Sequence, residues 1–370
     1  MSDVNNSKPA VELKRRATRS DVAKLAGVST TTVTFVLGNR YDLPIPETTR
    51  DRVRKAAAEV GYHPSAVAKA LVSGRTNAVT VAFYNAIVPH YARVLQALER
   101  HTNAQGYHMI ASTIGHISLR NVLPDLLSIL NHPNDGVILV DMPRAFGAYL
   151  EQLQPLAKPV VSMGIYDIPD PATHNAPHSM PDIDYVEVDL ETSSTAAMYH
   201  LLESQPKRLA FFGYYGQEEA AAMARRAANG EGDPRPLAYS RVLSSVGRAP
   251  EFIAGRGGGR VAKEAALREY ISAHGCPDAL FCYDDEYALS AHRCLRKLGY
   301  SLPGDVTIVG CDGNEECEYV EPALSTIVQP IDQMCAAAWK LMASRLADPT
   351  APRRREKLTA ELVVRESSVR

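Results

Sequence analysis

At 370 residues, 45% hydrophobic and 22% charged, the chain has a globular composition and room for two or three folding units. No run approaches the roughly 18 apolar residues of a membrane span, and Met1 to Arg19 is polar and basic with no secretory apolar core, so a cytoplasmic protein without membrane contact is expected. Charge is uneven: residues 1–75 carry 13 lysines and arginines against 7 aspartates and glutamates, a net of +6, and the remainder carries 27 against 35, a net of −8. A basic head on an acidic body points to a polyanionic partner for the head.

After a basic, disordered arm (residues 1–17), Thr18 and Asp21 stand at the spacing of a helix-capping box. Val22, Ala23 and Ala26 form a short apolar stripe, Gly27 permits a tight turn, and Ser29 caps a second helix whose Val33, Val36 and Leu37 face inward. Two helices this short need a third to pack on, and Pro46 to Val60 supplies it through Val53, Ala57 and Val60, with Gly61 to end it. This is a helix-turn-helix over residues 18–62, which lays its second helix in the DNA major groove. Thr30, Thr31, Thr34 and Phe35 are placed on the outward face to meet bases, and Arg19, Arg50, Arg52, Arg54 and Lys55 to meet phosphates. Residues 63–76 contain another short helical pattern, begun by Pro64 and Ser65 and ended by Gly74. It is either a linker or a hinge helix formed on DNA, with Leu71 as a wedge between base steps.

From Asn77 apolar strands alternate with helices: strands at 78–83, 108–111, 136–140, 159–162, 186–189, 208–212, 279–282 and 306–309, and helices at 91–105, 119–130, 145–154, 193–202, 217–228, 259–274 and 286–298. Such a pattern predicts parallel sheets covered on both faces, in two α/β lobes with a binding cleft between them. The expected division of residues 77–370 gives lobe 1 about 77–180 plus 325–340, and lobe 2 about 185–324 plus the closing strand 361–365. The Gly-, Arg- and Pro-rich stretch 227–259 reads as a flexible surface loop, and Arg353-Arg354-Arg355 as a solvated run. Cys276, Cys282, Cys294, Cys311, Cys317 and Cys335 contain no C-x-x-C pair, so reduced, buried thiols are expected, with no metal and no cofactor. No nucleophile–base constellation, H-E-x-x-H, G-x-S-x-G or phosphate-loop sequence is present, which argues against an enzyme.

Several stretches together resemble the lactose/galactose-repressor family. In the head they are Asp21-Val22-Ala23, Ala26-Gly27-Val28-Ser29, Thr32-Val33, Asn39, Thr49-Arg50, Val53, Tyr62, Pro64 and Ala68-x-x-Leu71. In the body they are Pro277 to Leu289, Val306 to Gly313, Pro322 to Pro330 and Glu361 to Ser367. The resemblance implies an all-α helix-turn-helix head on a two-lobed, periplasmic-binding-protein-like α/β core. It implies a transcription regulator, most simply a repressor, that binds a pseudo-palindromic DNA operator as a homodimer and answers to a small-molecule effector in the cleft. By position, Arg19, Ser29, Thr30, Thr31, Thr34, Phe35, Asn39, Arg50, Ser65, Ala66, Lys69 and Leu71 would meet DNA. Tyr84, His90, Tyr91, Arg225, Asp284 and Asp312 would meet the effector. Carboxylates, a guanidinium and an aromatic wall suit a sugar or nucleoside-like ligand. Asp284 has a second reading as a helix cap, and Arg225 as a surface charge. Phe35 stands where the family carries a polar or basic reader, and Asp284 where it carries Asn. A solute-binding protein with the same lobes is the rival reading. It would need a leader and no helix-turn-helix.

Overall fold

The computed structural model describes residues 17–38, 40–63, 70, 74–84 (Tyr84 as backbone only), 88–114, 124, 127–141, 158–164, 183–214, 216–218, 232–255 and 258–370. Contacts divide the chain into two units, residues 1–76 and 77–370.

In the first unit, α1 (Arg19–Ala26) begins at a reciprocal cap: the Asp21 amide donates to Thr18 Oγ1 at 3.4 Å and the Thr18 amide to Asp21 Oδ2 at 2.8 Å. Gly27 follows at φ +64°, a left-handed conformation that a β-carbon would oppose. Ser29 Oγ accepts from the Thr32 amide and starts α2 (Thr30–Leu37). Val22, Ala23, Ala26, Val33 and Val36 pack against Val53, Ala56 and Ala57 of α3 (Glu47–Glu59), giving each short helix the apolar burial it lacks alone.

The second unit has two six-stranded sheets. In chain order its strands are β1 (Ala78–Tyr84), β2 (His108–Ile114), β3 (Gly136–Val140), β4 (Val160–Met163), β5 (Asp184–Asp189), β6 (Leu209–Gly213), β7 (Glu251–Ala254), β8 (Ala279–Cys282), β9 (Thr307–Asp312), β10 (Ser325–Val328), β11 (Arg355–Thr359) and β12 (Glu361–Val363). The first sheet runs β11-β5-β4-β3-β1-β2 and is parallel throughout; the second runs β12-β10-β9-β8-β6-β7, with only β12 antiparallel to its neighbour. The principal helices are α4 (Pro89–Asn103), α5 (Leu190–Glu203), α6 (Pro234–Ser245), α7 (Arg260–His274), α8 (Asp285–Lys297), the single-turn α9 (Glu316–Tyr319) and α10 (Ile331–Ala347). Both α4 and α10 cover the first sheet, whereas α5 with α6 and α7 with α8 cover the second. All-buried strands such as β3, β6, β8 and β9 are the near-continuous apolar runs that double coverage requires.

Three expectations need correction. The lobe boundaries shift: residues 184–189 pair with β4 and β11 in the first sheet, and 325–328 pair with β9 in the second. The chain therefore crosses between lobes three times, after Asp189, between Val328 and Ile331, and at Ala360. The expected loop 227–259 contains α6 and β7. Asp233 caps α6, Pro234 opens it, and Ala238, Tyr239, Val242 and Leu243 are buried, while the ion pair of Asp233 and Arg235 conceals the polar residue that masked the pattern. The arginine run does expose its side chains, but its backbone enters β11. The expected helix 145–154 lies outside the described residues, as does the expected helix 217–228 beyond Glu218. Among the described residues all six cysteines are free, five of them buried, and no helix is long and apolar enough to cross a membrane.

Asp184 fastens the α10–β11 connection from beneath. Its carboxylate accepts from Arg345 Nε and Nη2 at 2.9 and 2.7 Å and from the Arg354 amide at 2.8 Å, and both acidic and basic partners are buried. Asp184→Ala leaves an uncompensated buried guanidinium, so unfolding in urea should show a loss of about 3–5 kcal/mol. A loss below about 1 kcal/mol, the range of surface pairs, would remove this tie from the account.

Candidate functional site

The head presents one polar face. Arg19, Ser29, Thr30, Thr31 and Thr34 are exposed and Phe35 is half-buried. Two hydroxyls are already engaged: Ser29 Oγ in the α2 cap, and Thr34 Oγ1 donating to the Thr30 carbonyl at 2.9 Å. Thr30 and Thr31 are exposed on the first turn, with Phe35 one turn on. The expected phosphate role of Arg50 is not what the structure gives. Its side chain is buried, and it donates to the carbonyls of Ile45, Arg40 and Leu43, holding the α2–α3 loop with the guanidinium against the Tyr41 ring. A guanidinium satisfies several carbonyls that would otherwise lack donors. The spacing Arg50, Val53, Ala57 places it on the buried face of α3 and was the available signal. Arg54 is paired with Glu47 and Asp51, whereas Arg52 and Lys55 are exposed. Asn39, Ser65, Ala66, Lys69 and Leu71 lie outside the described residues.

In the core, Asp284 and Asp312 come together at the carboxyl ends of adjacent strands, β8 and β9. Asp284 caps α8, accepting from the Tyr287 amide at 2.9 Å, and is partly buried. Capping and a place on the cleft wall are therefore compatible. Asp312 sits at φ +121°, outside the usual range for a side-chain-bearing residue, and Gln329 donates to its Oδ1 at 2.7 Å. The first lobe meets it directly. His90, buried on the first turn of α4, has Nδ1 3.9 Å from Asp312 Oδ1 and Nε2 3.7 Å from Asp141 Oδ2. Arg93 Nη1 donates to the carbonyls of Asp312 and Gly313 at 3.2 and 2.6 Å. Tyr91 is half-buried, edge-on to His90 and stacked on Phe83. Tyr84 is described only as backbone at the end of β1, and Arg225 lies outside the described residues.

Residues not anticipated complete the site. Tyr214, Tyr283 and Tyr287 meet edge to face, with centroids 4.8–6.1 Å apart. Arg235 lies beneath them, its guanidinium 3.7 Å from the Tyr283 ring centre, bidentate to Asp233 and donating to the Tyr283 carbonyl. Asp285, fully buried, accepts from Thr326 Oγ1 and the Asn314 amide. A pair of tyrosines flanking three acidic residues after an apolar strand was a legible signal for the aromatic wall; Tyr214, distant in sequence, was not.

Burial and the neighbouring Asp312 charge push the Asp284 carboxyl up to about 7. Burial by itself would lower His90, but the Asp312 and Asp141 carboxylates outweigh it and raise it. Such a wall offers hydrogen-bond acceptors, one imidazole donor and aromatic area: a binding surface for a small polar molecule. Among the described residues no cluster could hold a metal ion.

Because the folded protein favours neutral Asp284, that contribution to stability is present below the ordinary carboxylate range and is lost as pH rises through about 7. The melting temperature of the ligand-free protein should therefore decline between about pH 5 and about pH 7, and Asp284→Asn should flatten that slope. An unchanged slope in the variant would contradict the assignment.

Comparison with known proteins gives two profile matches: "Bacterial regulatory proteins, lacI family" over residues 18–65 and "Periplasmic binding protein-like domain" over residues 198–368. The HTH-type transcriptional repressor PurR of Aliivibrio salmonicida is 28% identical over 355 residues, covering 95% of this chain and 98% of that protein. The solved lac repressor dimer bound to operator and the anti-inducer ONPF superposes with a TM-score of 0.75 at 18% identity, over 96% of this chain and 100% of the other. The transcriptional regulator CelR–cellobiose complex does so with 0.62 at 24%, over 95% and 100%. These two structures are alike in fold.

Proposed function

We infer that the chain, which matches the model of the lacI family of bacterial regulatory proteins over residues 18–65, is a DNA-binding transcriptional regulator and not an enzyme. From that premise we propose that it represses transcription as a homodimer on a pseudo-palindromic operator, and that a sugar or nucleoside-like effector in the interlobe cleft sets its affinity. The observation that carries the DNA reading is the exposed first turn of α2, where Thr30 and Thr31 project from a helix packed rigidly on α1 and α3. Hydroxyls there reach base edges or phosphates, and Phe35 suits a thymine methyl. Two heads on one dimer fix the half-site spacing, and Leu71 pairs at the hinge would wedge the central step.

The effector reading is supported by the convergence of Asp284, Asp312, His90 and the tyrosines from both lobes, and by the cellobiose bound by CelR. A ligand spanning the cleft alters the angle between lobes, and the coupling equals its differential affinity for the two states.

Thr31→Ala should weaken binding to a selected operator duplex by about tenfold and binding to random duplex far less, as fluorescence anisotropy can measure. Leu71→Ala should behave likewise; equal loss on both duplexes would sink the wedge. Random-duplex affinity should fall steeply with salt as counterions are released, and a flat dependence would contradict a DNA role.

A further inference from the structure

Resting on the reading of the cleft as the effector site, the charge layout narrows the ligand further. We propose that the cleft takes uncharged, hydroxyl-rich ligands and excludes phosphorylated and carboxylated ones, with Asp284 and Asp312 as the excluding groups and Asp233 withholding Arg235 from any ligand.

Asp284 and Asp312 stand at the carboxyl ends of the paired strands β8 and β9, where the Asp312 charge opposes ionisation of Asp284. An anionic ligand would add its charge beside Asp312 and, above about pH 7, beside an ionised Asp284 as well. The arginines and the lysine described around the wall are not free to pair with a ligand, because each is already hydrogen-bonded within the protein. Arg235 is 3% exposed, forked onto Asp233 and capped by the Tyr283 ring. Turning it toward a ligand would strand Asp233, which is 0% exposed. Lys263 donates to the Gly258 carbonyl and lies over the Tyr287 ring. Arg93 is bound to the carbonyls of Asp312 and Gly313, and Arg260 to Glu286.

A second observation indicates what the wall accepts. His90 Nδ1, buried and without a hydrogen-bond partner, stands 3.9 Å from Asp312 Oδ1. Asn314 Nδ2, two residues beyond Asp312, is likewise buried and unpartnered. A hydroxyl donates to a carboxylate and accepts from an imidazole or amide N–H with the same oxygen, so it satisfies both kinds of group at once. A phosphate dianion or carboxylate only accepts and brings the aspartates no donor beyond Gln329 and the Tyr287 amide.

The test uses the full chain and matched pairs: glucose and glucose 6-phosphate, ribose and ribose 5-phosphate, adenosine and adenosine 5′-monophosphate. Thermal shift followed by calorimetry should find that any pair with a binding member binds through the unphosphorylated one, its phosphate at least about 100-fold weaker. A phosphorylated member binding as tightly as its partner overturns the proposal. Inorganic phosphate supplies a readout independent of ligand identity. At constant ionic strength and about pH 8, above the Asp284 titration, Asp284→Asn, which keeps the helix cap, should gain a phosphate-dependent rise in melting temperature relative to the unaltered protein. Asp233→Asn should gain one too if it folds. The head is the same in all three, so its phosphate binding cancels. Identical phosphate responses in the unaltered protein and Asp284→Asn overturn the charge exclusion. If the phosphate responses differ as expected while none of the six compounds binds, the sugar or nucleoside reading fails and the charge exclusion stands.

Discussion

Everything at the cleft depends on one buried carboxylate. Asp285 opens α8 with no exposure to solvent, accepts from Thr326 Oγ1 at 2.6 Å and from the Asn314 amide at 2.7 Å, and so ties the ends of β8, β9 and β10 to one another. Gly310 on β9 passes so close that a β-carbon there would lie 2.3 Å from Asp285 Oδ1. Burial and the adjacent Asp312 hold the Asp285 carboxyl well above its ordinary range, which is the cost of gathering three acidic groups at one corner. What that cost secures is position: Asp284 and Asp312 follow strands whose ends Asp285 ties together, and Asp312 meets His90 and Arg93 of the first lobe.

The second constraint is topological. Three crossings, after Asp189, through Gln329 and Pro330, and at Ala360, join sheets that otherwise share no strand. Lobes joined this way move about a common hinge while each sheet stays intact. Beside the Gln329 crossing, the described contacts from the first lobe to Asp312 and Gly313 are polar: His90 to Asp312, and Arg93 to the Asp312 and Gly313 carbonyls. A ligand that competes with or completes those contacts has a direct lever on lobe angle, which is what an effector of a DNA-binding protein requires.

Much of this was legible in the sequence. The three helices of the head, the turn at Gly27 and the caps at Thr18 and Ser29 follow from local chemistry, and most strands of the core from apolar runs. Asp284 and Asp312 were identifiable from the stretches around them. What failed did so for non-local reasons. Strand β5 was assigned to the wrong lobe because pairing partners are not written in a strand's own residues. Helix α6 was hidden by Pro, Gly and Arg, since an arginine reads as surface until its buried partner, Asp233, is known. Arg50 misled in the same way: its charge suggested phosphate, whereas the carbonyls it serves come from a loop up to ten residues away.

The central claim is that cleft and head are coupled. It is tested most directly by titrating a cleft-binding sugar or nucleoside into the full chain with and without a selected operator duplex. The account predicts that the duplex changes ligand affinity by about 5- to 150-fold, and that the ligand changes duplex affinity by the same factor. Equal ligand affinities in the two titrations would contradict it.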